Sequence, residues 1–131
     1  MRTATTLKVL LVSFAFLATS SLFASPVATW AAIADKGENK GKVTSHIRVY
    51  TYKNKKGEER IGGKVVKLIT NPDATCSADC PGSRANKSVL NMTIMWGFKK
   101  TGDNQWEGKI LDPEDGSIYN CIVRREGSLL K

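Results

Sequence analysis

One stretch, residues 106–119, limits the folds open to this chain more than any other: Trp-Glu-Gly-Lys-Ile-Leu-Asp-Pro-Glu-Asp-Gly-Ser-Ile-Tyr. Two β-like runs flank Asp112, Pro113, Glu114, Asp115 and Gly116. Pro113 presets φ for the first corner, and Gly116 supplies the left-handed φ that lets the chain re-enter a ladder. The stretch therefore predicts a hairpin, with residues 105–111 as its first arm and residues 117–125 as its second. It names no chemistry.

The rest of the chain repeats this grammar. Residues 27–30 read as a short strand with an aromatic anchor, and residues 35–42, rich in Gly, Asn and charge, as a loop. Residues 43–52 alternate, with Val43, Ser45, Ile47, Val49 and Thr51 on one face and Thr44, His46, Arg48, Tyr50 and Tyr52 on the other. Asn54, Lys55, Lys56 and Gly57 make a turn into a strand over residues 60–69, where Gly62 and Gly63 mark a bulge or bend. Residues 70–87 are the longest irregular stretch, a length that predicts either function or covalent pinning. Residues 88–98 read as the strongest strand, with Leu90, Met92, Ile94, Trp96 and Phe98 sharing a face opposite Val89, Asn91, Thr93 and Met95. Leu129, Leu130 and Lys131 begin a last strand. No amphipathic helix is evident, so the pattern predicts an all-β antiparallel meander, closed or nearly closed into a barrel.

The first 24 residues read as a separate unit. Met1 to Lys8 form a basic start, residues 9–18 are apolar but too short to span a bilayer, and a polar-to-small region ends at Ala24. These features predict a secretory signal peptide over residues 1–24 and one domain over residues 25–131, with no transmembrane segment in the mature protein and a periplasmic or secreted location. Arg2 and Lys8 leave with the leader, so the chain's net charge of +8 falls to +6 (eighteen basic against twelve acidic residues). The remaining basic residues cluster at turns: Lys53, Lys55 and Lys56, then Lys99 and Lys100, then Arg124 and Arg125. They read as a solvated surface, or as a means of meeting anionic envelope surfaces. Nucleic acid is not an expected partner of an exported protein.

Three cysteines, Cys76, Cys80 and Cys121, are disulfide candidates in an oxidising compartment, and every pairing among them is open. With the lone His46 they lack zinc-finger spacing, and Cys-Ser-Ala-Asp-Cys lacks that of a Cys-x-x-Cys redox motif. Asp112, Glu114 and Asp115 lack calcium-loop spacing and are explained by the turn they build. The tripeptides starting at Asn86 and Asn91 match the glycosylation sequon but read as incidental. Any triad would have to be built on His46, in mid-strand beside Arg48. The inventory predicts no catalytic residues, no metal and no cofactor, hence no enzyme.

The chain resembles the bacterial secreted family called domain of unknown function 2147. The resemblance is carried by Ala28-Thr29-Trp30, by residues 63–68 (Gly-Lys-Val-Val-Lys-Leu), by a Cys-containing loop before Ile94-Met95-Trp96-Gly97, and most specifically by residues 106–121. It implies a lipocalin-like (calycin) barrel whose interior can hold one small ligand. Two departures stand out. Ala28 occupies the place of a Gly, and family members usually continue past the Leu-Lys that ends this chain, so a truncated, incompletely closed barrel is expected. The resulting expectation is a non-catalytic exported protein binding a small apolar or amphipathic, lipophilic ligand among Trp30, Ile47, Val49, Met92, Ile94, Trp96 and Trp106. The alternative is an interaction module that contacts anionic surfaces through its basic turns.

Overall fold

The computed structural model describes residues 9–11 and 25–131. Apart from residues 9–11, the leader expected over residues 1–24 lies outside the described residues. Eight strands follow in chain order: β1 (Val9–Leu11), β2 (Ala28–Ile33), β3 (Val43–Lys53), β4 (Glu59–Leu68), β5 (Thr93–Gly102), β6 (Gln105–Leu111), β7 (Ile118–Glu126) and β8 (Leu129–Leu130). A single 3-10 turn, Gly82–Arg84, is the one helical element among the described residues. Each strand from β2 to β7 pairs antiparallel with the next. These seven strands form the expected meander, a nearly closed barrel with one seam, between β2 and β8, that they do not seal themselves. Val9–Leu11 lies in that seam, antiparallel to both neighbours, and completes the ring.

Cross-strand pairs build the core. Trp30 stands opposite Ile47, Ile47 opposite Val65, Met95 opposite Ile110, and Ile110 opposite Tyr119. All six side chains are buried in one contiguous cluster with Val49, Phe98, Trp106, Leu111, Val123 and Leu130. Directly opposed side chains on the inner face are the unit of sheet stabilisation, and here they run around the barrel from strand to strand.

Glycine sets the tight places. At Gly63 the β4–β5 register shifts on both sides, and a Cβ would lie 2.9 Å from Met95 Sδ. At Gly108 a Cβ would come within 2.5 Å of the Phe98 ring, so β6 gives way for the ring to lie across it. The expected bend at Gly62 and Gly63 is thus a bulge that lets β5 fold closely over β4.

The strand read over residues 88–98 begins later, at Thr93, and runs on to Gly102. Asn91 (φ 68°) and Gly97 (φ 69°) adopt left-handed conformations that reset the alternation. Ile94 and Met95 are both buried although adjacent, and Leu90 is 41% exposed in the turn before the strand. A side-chain stripe counted by twos cannot survive a left-handed residue in its middle.

The β6–β7 hairpin is as expected. Asp112 N–H donates to Ser117 O (2.9 Å) and Gly116 N–H to Asp112 O (2.8 Å), with Gly116 at φ 75°. The carboxylates hold the turn: Asp112 Oδ1 accepts from Glu114 N–H, Asp115 Oδ1 from Ser117 N–H, and Asp115 Oδ2 from the Tyr119 hydroxyl at 2.8 Å. These are Asx-type contacts, which fix a turn locally.

Candidate functional site

An up-and-down barrel sorts its connections between two ends. The β3–β4, β5–β6 and β7–β8 turns lie at one end; the β2–β3 loop, the long β4–β5 loop and the β6–β7 turn lie at the other.

The end with the short turns is stoppered. Trp30 is fully buried, its indole N–H donates to Pro26 O at 2.8 Å, and the Arg125 guanidinium lies 5.4 Å from the ring centroid. Arg125 also donates to Gly127 O (2.9 Å) and to Ser25 O. A cation stacked on an indole and held by two carbonyls makes a rigid closure.

The opposite end is open on one side. Here the Cys76–Cys80 bridge forms, settling the pairing left open by the sequence, and both residues are buried. The loop doubles back on itself through Cys76 N–H to Lys87 O (2.7 Å), Val89 N–H to Ala74 O (3.0 Å) and Asn86 N–H to Cys76 O (2.9 Å). It is pressed onto the β6–β7 turn, where Ser77 N–H donates to Pro113 O at 2.8 Å. A Cβ on Gly116 would lie 2.4 Å from the Asp79 carbonyl carbon. Cys121 stands outside the bridge, buried, with burial pushing its thiol up to about 11.

Between this pinned loop and the β2–β3 loop lies a cleft of about 720 Å³. Leu68, Ala74 and Val89 provide its apolar part, and Asn39, Thr44, Ser45, Thr70, Asn71 and Thr75 offer neutral hydroxyls and amides. Charges of both signs, including Asp35, Lys36, Glu38 and Glu114, also line it. Its walls are ordered by the backbone: Gly41 N–H donates to Ala34 O, Ala34 N–H to Lys42 O, and Ile69 N–H to Thr44 O. A concave, partly apolar site with a few polar groups suits binding of a small molecule.

Of the residues expected to line a pocket, Trp30, Ile47, Val49, Met92, Ile94 and Trp106 are buried together in the core cluster. Trp96 is partly buried against that cluster, with the Arg84 guanidinium 5.2 Å from its ring centroid. The structure brings these seven together, and none of them lines the cleft. The cleft residues were missed by sequence reasoning. The available signal was topological: in a meander the two longest irregular segments, residues 34–42 and 69–92, must meet at one end. His46 lies half-buried in β3 between Ala31 and Lys67 and does not line the cleft. Among the described residues no cluster of three or more His, Cys, Asp or Glu is placed to hold a metal ion.

Fold and site together define a small all-β barrel of a kind suited to binding. The chain belongs to the family described as "Uncharacterized protein conserved in bacteria (DUF2147)", whose model matches residues 29–131. No curated protein and no solved structure matches it. Among the described residues no helix is long and apolar enough to cross a membrane, and the Cys76–Cys80 bridge is compatible with an extracytoplasmic protein.

Proposed function

We propose that this protein is exported and binds, without transforming it, a small amphipathic molecule at the open end of the barrel. The observation that carries the reading is the asymmetry of the ends. One is stoppered by Trp30 and Arg125, while the other holds a half-open cleft of about 720 Å³ lined by Leu68, Ala74 and Val89, by neutral hydroxyls and amides, and by charges of both signs. The interior positions are the poorer seat, because their large side chains pack against one another. An apolar tail against Leu68, Ala74 and Val89, with an uncharged hydroxyl-bearing head among Thr70, Asn71 and Asn39, uses the groups at hand.

Octyl glucoside below its micellar concentration, titrated against the purified protein and followed by amide NMR, tests this. Saturable shifts confined to residues 34–45, 68–75, 89 and 113–114 are expected, and Thr70→Trp, at an exposed rim position, should abolish them. Absence of saturation, or shifts centred on Trp30 and Trp106, would refute the mouth site.

A second reading has its own support. Lys53, Lys55, Lys56, Lys99, Lys100 and Arg124 are all exposed, and the meander places all six at the stoppered end. Glu58 there is held below its ordinary value by its hydrogen bond from Asn54, then by the Arg60 charge, with Lys99 adding from β5. Docking of this end on anionic surfaces should show as binding to phosphatidylglycerol vesicles that is lost with added salt. Binding insensitive to salt would count against it.

A further inference from the structure

The seam between β2 and β8 has consequences beyond small-molecule binding. β2 and β8 run in the same direction and pair through Val9–Leu11, which is antiparallel to both. Val9 stands opposite Ala32 and Leu130, Leu10 opposite Ala31 and Leu129, and Leu11 opposite Trp30. The flanking residues Trp30, Ala31 and Leu130 are buried. Without a strand in the seam, two rows of backbone donors and acceptors lose their partners, and the edge of the core lies open.

We propose that this seam is a strand-acceptor site for an extended apolar segment of another polypeptide, and that Val9–Leu11 is its internal occupant while the leader is attached. The proposal rests on the export reading in one respect: removal of residues 1–24 would empty the seam and couple export to its opening. The chemistry of the occupant follows from the register. A segment of at least three residues, antiparallel to β2 and β8, supplies ladder hydrogen bonds to both edges. Its residues fall opposite Ala32 and Leu130, Ala31 and Leu129, and Trp30, an apolar set that rejects charged or proline-bearing sequences. The residues that flank the slot are apolar, so the expected ligand is a hydrophobic strand and not a basic or acidic one.

The test uses the full chain, so its outcome does not depend on leader cleavage, and a failure of small-molecule binding leaves it untouched. Leu10→Pro removes a ladder N–H from the internal strand. A fluorescent peptide with the sequence of residues 8–12, Lys-Val-Leu-Leu-Val, is titrated against the wild-type and Leu10→Pro chains, with anisotropy and near-ultraviolet circular dichroism as readouts. Because a tethered strand competes at an effective concentration of the order of millimolar, the peptide should bind the wild type roughly tenfold or more weakly than Leu10→Pro. A peptide with proline at its centre should bind neither.

If Leu10→Pro does not fold alone, addition of the peptide should restore its aromatic circular dichroism. Equal binding to both chains, binding indifferent to the proline in the peptide, or an unfolded variant that the peptide fails to restore would overturn the proposal. So would a folded Leu10→Pro chain that dimerises and ignores the peptide, since the occupant would then be a second copy of the chain.

Discussion

Replacing Gly116 by alanine tests the claim that the disulfide loop is clamped onto the β6–β7 turn. Two costs fall on this position. Its φ of 75° is left-handed, which costs a residue with a Cβ about 1–2 kcal/mol. The added Cβ would also stand 2.4 Å from Asp79 C, 2.6 Å from Asp79 O and 2.7 Å from Cys80 N. Those are backbone atoms of a loop tied by the Cys76–Cys80 bridge and by Ser77 N–H to Pro113 O, so they cannot swing aside as a flexible side chain could. Overpacking of that kind costs about 1–3 kcal/mol more. Gly127 provides the control, with a φ of 61° and nothing within 4 Å of its added Cβ. Gly127→Ala should therefore cost about 1 kcal/mol, and Gly116→Ala about 3 kcal/mol, measured by urea denaturation with tryptophan fluorescence. For a domain of this size the latter lowers Tm by roughly 12 °C.

The contrast can be pushed further by cutting the tie. Replacing Cys76 and Cys80 by serine should itself cost about 2 kcal/mol for so short a closed loop. In that background the Gly116→Ala cost should shrink toward that of Gly127→Ala, because the untethered loop can retreat. Such coupling is what a double-mutant cycle isolates. Equal costs at Gly116 and Gly127 in the wild type would refute the clamp. An undiminished Gly116 cost without the bridge would show that the hydrogen bonds alone hold the loop.

Two further outcomes follow from the barrel wall. Gly108→Ala should destabilise by about 1–3 kcal/mol, because its Cβ would meet the buried Phe98 at 2.5–2.8 Å, whereas Gly102→Ala, whose nearest neighbour is 3.7 Å away, should be near neutral in the same assay. Cys121 should make stability depend on alkaline pH. Its thiol is raised from 9.0 to about 11, so the folded state holds the proton more tightly than the unfolded one. The contribution is complete below pH 9 and is lost as pH rises toward 11, on the order of 2–3 kcal/mol at one pKa unit per 1.4 kcal/mol. Comparing wild type with Cys121→Ala between pH 8 and 11 removes the background from lysines and tyrosines, and parallel curves would contradict the burial argument.

Turn chemistry made the hairpin over residues 106–119 legible, because proline, glycine and Asx contacts act within six residues and need no tertiary context. The same locality explains why Gly62 and Gly63 could be read as a bulge. The phase of β5 was not legible, since the strand starts only after the left-handed Asn91 and Gly97 shifts the pleat within it, and nothing in the composition of residues 88–98 says which residue will take positive φ. Which residues line a pocket was not legible either, for a different reason. Along a strand, side chains that fill a barrel and side chains that line a cavity alternate identically, so Trp30, Met92 and Trp106 carried no sign of which they would do.

Whether such an interior is full depends on the summed volume of all inward side chains against a circumference fixed by strand number and tilt. Here three tryptophans, Phe98, Met95 and Tyr119 are directed to, or packed against, one small core, and the cleft lies at the rim. A rim cleft is made by loops, whose residues are polar and aperiodic and so give no stripe to find. Strand order still restricts it, because alternate connections of a meander share an end. The two long segments of this chain, residues 34–42 and 69–92, are alternate connections, while its basic turns fall on the other set. The division of the molecule into a cleft-bearing end and a basic, stoppered end is therefore a consequence of connectivity, and it was available from the order of the elements before any side chain was placed.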